Sequence, residues 1–109
     1  MTFSAVELII KKREKQELSS DEIRWLVANY TQGVVADEQM SAMAMAILLN
    51  GMNRREILDL TLAMIDSGER LDFSSLAMKT SDKHSTGGVG DKITLPLAPL
   101  VASYGIAVP

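Results

Sequence analysis

Cysteine is absent from the 109 residues. That excludes disulfide bonds and thiol catalysis, and it fits a reducing compartment such as the cytoplasm. Aromatics are scarce, with one tryptophan, two tyrosines and two phenylalanines. A core built from this composition is aliphatic, and seven methionines make it adaptable. No apolar run approaches the roughly 18 residues that span a bilayer, so no membrane partner is expected. Met1-Thr2-Phe3-Ser4 has no basic stretch leading into an apolar one and does not read as a signal peptide. Positive charge is in deficit: 11 lysines and arginines face 14 aspartates and glutamates, for a net charge of −3. A chain of that sign is not a general nucleic-acid binder. What is present is 47% hydrophobic residues, in a length suited to one small domain.

The first 68 residues carry helical patterning. Ser4-x-x-Glu7 is a capping box, in which each side chain satisfies the other residue's free amide. Val6, Ile9 and Ile10 then line one face, and Lys11 to Lys15 is a charged, solvated helix end. Ser19-x-x-Glu22 is a second box, followed by Ile23, Leu26, Val27 and Tyr30 at helical spacing until Gly33. Asp37 is placed to cap a third helix with the stripe Met40, Met43, Ala44, Ile47 and Leu48, widened by Ala42, Met45 and Ala46. A helix apolar on several sides is buried or meets a partner. Asn53-x-x-Glu56 opens a fourth helix, with Ile57, Leu60, Met64 and Ile65 inward and Gly68 as its stop.

Composition shifts after Gly68. Residues 69–77 read as a polar connector. Met78 to Ser81 reads as a short strand. Asp91 to Tyr104 reads as a helix that Pro96 and Pro99 force to start late or kink, with Gly105 ending it. Ile106-Ala107-Val108 reads as the start of a second strand. The fold class expected is α+β or α/β, with a helical subdomain over 1–68 and the first βα unit of a larger α/β domain over 78–109.

Between that strand and helix lies the segment Lys83-His84-Ser85-Thr86-Gly87-Gly88-Val89-Gly90-Asp91-Lys92. Clustered glycines let a ligand approach the main chain. Loop amides, the Ser85 and Thr86 hydroxyls and the Lys83 ammonium together suit an anion. The start of the following helix adds free amides and a positive dipole end. His84, the one histidine, can move a proton near neutral pH. A glycine cluster is often only a turn, and a lone histidine is more often a surface group than a catalyst. Asp91 reads as a helix cap, since a carboxylate beside phosphate would repel it.

Asp82 to Asp91, Asp-Lys-His-Ser-Thr-Gly-Gly-Val-Gly-Asp, closely resembles the phosphate loop of thymidine and pyrimidine-nucleoside phosphorylases. The resemblance continues through Pro96-Leu97-Ala98-Pro99-Leu100-Val101-Ala102 and back through the helical N-terminus. It implies reversible phosphorolysis of thymidine or uridine to free base and pentose 1-phosphate, in nucleoside salvage. It also implies a protein several times longer, of which this is the N-terminal part, so the 109-residue chain alone is expected to be inactive. Residue by residue, it assigns phosphate to Lys83, Ser85, Thr94, Gly87 and Gly88, and the pyrimidine base to His84 as the catalytic group. The N-terminal helices are implied as a homodimer contact. Some relatives bind potassium through residues matching Gly90 and Lys92, but where they have threonine this chain has lysine. An ammonium has no lone pair for a cation, so neither a metal nor another cofactor is expected.

Two other readings stand beside this one. Anthranilate phosphoribosyltransferase has a related fold and its own glycine-rich loop, although the intact Lys-His-Ser-Thr favours the phosphorylase. The chain could also serve as a non-catalytic helical dimerisation module.

Overall fold

The computed structural model describes residues 3–84 and 92–109. The helices among them are α1 (Ala5–Arg13), α2 (Ser20–Thr31), α3 (Asp37–Asn50), α4 (Arg54–Ser67) and α5 (Thr94–Ala102). The chain divides into two compact units, Met1–Arg70 and Leu71–Pro109.

In the first unit the caps explain where helices begin. Ser19 Oγ accepts from the Glu22 amide at 3.3 Å, and a Glu22 oxygen accepts from the Ser19 amide at 2.6 Å. Asn53 and Glu56 make the same reciprocal pair, at 2.9 Å each way. Both satisfy first-turn amides that have no partner within the helix. Asp37 is not the cap of α3 but its first helical residue, where its charge complements the helix dipole. Ala36 holds the cap position, and Gln39 Oε1 accepts its amide at 3.1 Å. The Ser4 side chain makes no capping bond, so the expected Ser4–Glu7 box does not form.

α1 packs on α3, and α2 on α4. The core gathers Leu8, Leu18, Ile23, Leu26, Val35 and Met43, with Phe3 and Trp25 meeting edge to face at 6.1 Å beside it. Several residues expected inward lie outside this core. Val6, Ile10, Leu48, Met45, Ile57, Met64 and Ile65 are exposed, while Ala5, Leu8, Ala46 and Ala63 are buried. Each helix has one main partner, so its buried stripe is narrower than its apolar stripe. The contact side is chosen by the partner rather than by the helix's own pattern.

The largest departure is at Lys12. The segment expected to be solvated contains a lysine only 4% exposed. Its Nζ donates to both carboxylate oxygens of Glu56, at 2.8 and 3.0 Å. Glu56, 1% exposed, also accepts from the Leu18 amide at 2.9 Å and from the Asn53 amide at 2.9 Å. Burial pushes the Glu56 carboxyl up. The Lys12 ammonium and the two amides outweigh that and hold it below the ordinary glutamate range. Lys11 is also engaged, bonded to Glu22 at 2.8 Å. The chain leaves α1 through Lys15, two residues past its last helical residue Arg13, with a left-handed φ of 61°. The Gln16 amide closes this end on Lys11 O at 2.9 Å, and Asn50 Nδ2 donates to Lys12 O at 3.1 Å.

In the second unit the expected strands do not develop among the described residues. Met78–Ser81 and Ile106–Val108 meet in a single parallel bridge, Thr80 with Ala107. Ser81 N–H donates to Ala107 O and Ala107 N–H to Lys79 O, each at 2.9 Å. One bridge without a further neighbour gives too few hydrogen bonds to extend a sheet. Among the described residues the α/β character is thus not developed, and the helical bundle is what the structure carries. α5 starts late, at Thr94, with Pro96 in its first turn and Pro99 inside it. A first-turn amide needs no helical partner, so Pro96 fits there, whereas Pro99 leaves one ladder bond unmade.

Two outcomes test this packing. Glu56→Ala leaves the Lys12 charge buried without a counterion and should lower unfolding stability by roughly 3–5 kcal/mol. Because the folded carboxyl sits below its unfolded value, its contribution is complete above the ordinary glutamate range and fades as pH falls through the folded value. Urea unfolding followed from about pH 6 down to about pH 3 should show that loss, and Glu56→Gln should flatten it. A wild-type acid profile identical to that of Glu56→Gln would remove the pair from the account. Separately, Lys15→Gly relieves the left-handed strain of a side chain and should raise stability by up to about 1 kcal/mol.

Candidate functional site

Lys83 follows closely on the bridge residue Thr80, and Thr94 opens α5. The two are eleven positions apart, yet Lys83 Nζ donates to Thr94 Oγ1 at 2.8 Å. Lys83 is exposed and Thr94 half-buried. The Lys83 backbone amide donates to Asp82 Oδ1 at 2.7 Å. That occupies one carboxylate oxygen at the site's edge.

A cavity of about 150 Å³ lies against this pair. Ser81, Asp82, Lys83 and Thr94 form its polar side, and Leu97 and Val101 of α5 part of its apolar side. The cap position of α5, Ile93, is itself helical in conformation and makes no side-chain capping bond. The positive end of the helix dipole lies there too. A cation, a hydroxyl and a helix N-terminus on one rim suit an anion with several oxygens. Asp82 opposes that charge, so the geometry favours an anion held toward Lys83 and Thr94.

The structure brings together two of the residues singled out from the sequence, Lys83 and Thr94. His84 is exposed, directly after Lys83. Ser85, Gly87, Gly88, Gly90 and the expected helix cap Asp91 lie outside the described residues. Lys92 is exposed. Its ammonium does not fit a potassium ligand set, so no step below runs through a metal. Among the described residues no group of three histidine, cysteine, aspartate or glutamate side chains could hold a metal ion. No described helix is long and apolar enough to cross a membrane.

Larger clefts occur in the first unit but carry different chemistry. One of about 460 Å³ is apolar, walled by Leu26, Met40, Ile47 and Met64. At its edge the Asp37 carboxylate, bonded to the Tyr30 hydroxyl, pushes that phenol above its ordinary value. One of about 390 Å³ is lined by Arg24, Thr31, Asp66 and Ser67. Arg24 is engaged with Asp21 at 3.0 Å and Asp66 with Arg70 at 2.7 Å.

The sequence reading missed the Lys83–Thr94 bond and the role of Asp82. The Asp82 contact has a local signal, since an aspartate often accepts a nearby backbone amide. The Lys83–Thr94 bond has none, because it depends on how the chain returns to α5.

Residues 6–68 match the family model described as glycosyl transferase family, helical bundle domain. The chain is 59% identical over 107 residues to the thymidine phosphorylase of Mycobacterium tuberculosis, covering 98% of this chain and 25% of that relative. It is 52% identical over 103 residues to the pyrimidine-nucleoside phosphorylase of Geobacillus stearothermophilus, covering 94% of this chain and 24% of the relative. The same identity and coverage hold for the pyrimidine-nucleoside phosphorylase of Bacillus subtilis, 52% over 103 residues, 94% of this chain and 24% of the relative. The chain thus spans about a quarter of the length of the curated relatives it matches.

Proposed function

The chain belongs to the glycosyl transferase family, whose helical bundle domain it carries, and from that premise we propose that it is the N-terminal part of a pyrimidine-nucleoside phosphorylase. The reaction is reversible phosphorolysis of thymidine or uridine. A phosphate oxygen attacks the anomeric carbon, the glycosidic C–N bond breaks, and pentose 1-phosphate and free pyrimidine leave. The observation that carries this reading is the Lys83–Thr94 hydrogen bond at the start of α5, in a chain whose relatives are named for this activity.

In the proposal Lys83 neutralises phosphate and Thr94 and Ser85 give it hydroxyl contacts. Gly87 and Gly88 let the main chain approach it. His84 donates a hydrogen bond or proton to the departing base, for which an imidazole is suited near neutral pH. The gain comes from aligning phosphate with the glycosidic bond and from stabilising developing charge. No cofactor or metal is invoked. The segment 78–109 leads into a larger α/β domain, 69–77 is the connector, and 1–68 is a helical domain. Its exposed apolar residues on α1 and α3, Val6, Ile10, Met45 and Leu49, supply a homodimer contact. The protein works in the cytoplasm, in nucleoside salvage.

Two substitutions in the full-length protein test the assignment. Lys83→Ala should raise KM for phosphate and lower kcat/KM by roughly ten- to a hundredfold, the loss of one charge-assisted contact of about 1.5–3 kcal/mol. Unchanged phosphate dependence would remove Lys83 from the site. His84→Ala should impair turnover more than phosphate binding. A near-normal kcat with thymidine or uridine would take His84 off the catalytic list. A parallel assay with anthranilate and phosphoribosyl pyrophosphate should give no product. The 109-residue chain by itself should show no phosphorolysis.

A further inference from the structure

Asn50 and Gly51 form the one Asn-Gly pair in the chain. Asparagine is a thermolabile residue, and a following glycine has no side chain to hinder attack by its own backbone nitrogen. In that reaction the Gly51 nitrogen loses its proton and bonds to Asn50 Cγ. The Cγ–Nδ2 bond breaks, and Nδ2 leaves with a proton as ammonia. The succinimide that remains takes up water. Opening at Cγ gives aspartate, and opening at the main-chain carbonyl carbon gives isoaspartate.

The fold restrains both reacting groups. Asn50 is the half-buried last residue of α3. Its Nδ2 donates to Lys12 O at 3.1 Å and to Arg13 O at 3.2 Å, at the C-terminal end of α1. The Gly51 amide donates to Ile47 O at 2.7 Å. An amide nitrogen engaged in this way is a poor nucleophile, and a side chain clamped by two acceptors is not free to turn toward it. The clamp exists only while α1 is docked. That helix has nine residues, too few to persist alone in water. It is tied down by the Lys12–Glu56 pair, by Leu8 in the core and by Ile9 packed against it.

The product of the reaction works against that docking. A carboxylate only accepts hydrogen bonds, so both bonds from position 50 to α1 are lost. Its charge then faces two carbonyls at the helix end where the dipole is already negative. We propose that Asn50–Gly51 is a deamidation site gated by α1: the docked helix suppresses the reaction, and the carboxylate it forms loosens the helix. Local opening of α1 exposes the site, and conversion makes opening more frequent, so the change runs one way. This inference is independent of the phosphorolysis reading.

The experiment uses the full-length protein and has two arms. In the first, the protein is aged at neutral pH and Asn50 conversion is followed by peptide mass spectrometry. A synthetic peptide spanning residues 47–54 gives the unfolded rate. Asn50 in the folded protein should convert at least about tenfold more slowly than in the peptide. Ile9→Ala weakens α1 docking without altering charge and should speed conversion at least about threefold. Glu56→Gln should do the same by loosening Lys12. Asn29, whose Nδ2 donates to Trp25 O within α2 at 2.8 Å, should keep its wild-type rate in both. Either variant suffices if the other unfolds throughout. The second arm reads hydrogen exchange in Asn50→Asp. Amides of α1 should exchange at least about tenfold faster while those of α2 stay within about twofold, and Asn50→Ala, which loses the same bonds without gaining charge, should have a smaller effect. Conversion as fast in the folded protein as in the peptide, or unchanged in both α1 variants, overturns the gating. Wild-type exchange of α1 in Asn50→Asp overturns the proposal from the other side.

Discussion

The bundle depends on one carboxylate. Glu56 caps its own helix through the Asn53 amide, takes the Leu18 amide from the approach to α2, and receives the Lys12 ammonium from α1 on both oxygens. Three chain segments thus converge on one buried side chain. Removing two charges from water is costly, and their attraction alone does not guarantee a net gain. Here the remaining acceptor sites of the carboxylate are also filled. Among the described residues no buried side-chain nitrogen or oxygen lacks a partner. Such a network does more to specify register than to add stability. A helix rotated about its axis could replace one aliphatic contact with another, but it could not keep these hydrogen bonds.

Around that pair the aliphatic core is small. Leu18, Ile23 and Met43 are its most enclosed apolar side chains. With so few aromatics, a flexible methionine at the centre of α3 fills the space that a ring would otherwise take. Much apolar surface remains on the outside. Leu48 and Leu49 are 75% and 74% exposed, and α5, composed almost wholly of apolar residues, buries none of them. Contiguous apolar surface of this kind is what interaction sites are made of. In the proposed reading part of it meets the remainder of a longer chain and part meets a second copy.

The site follows a different logic from the bundle. Its groups are exposed or half-buried, and it is arranged by hydrogen bonds rather than by packing. The parallel bridge from Thr80 to Ala107 and the late start of α5 bring Lys83 and Thr94 to the same rim. Pro96 takes part in that late start, because a proline is tolerated in a first turn and costly further along. A helix beginning at Asp91 would have put Pro96 beyond the first turn and given Thr94 a different place in the helix.

Local chemistry was legible in the sequence. The reciprocal caps at Ser19–Glu22 and Asn53–Glu56 are written within four residues, and the helices they start could be read directly. So could the cluster of lysine, histidine, hydroxyls and glycines, because residue types that suit an anion lie side by side. Burial was not legible to the same degree. Val6 and Ile10 look inward from their own helix, yet Ala5 and Leu8 are the buried ones, because α3 decides which side is covered. Lys12 read as solvated because its counterion stands 44 positions away. The Lys83–Thr94 bond was likewise hidden, since only the path of the chain back to α5 brings residues eleven positions apart together. The sequence by itself determined what each short segment could form, through propensity and caps. The tertiary structure decided which faces met and which charges were shared, because those energies exist only once distant segments exclude water between them.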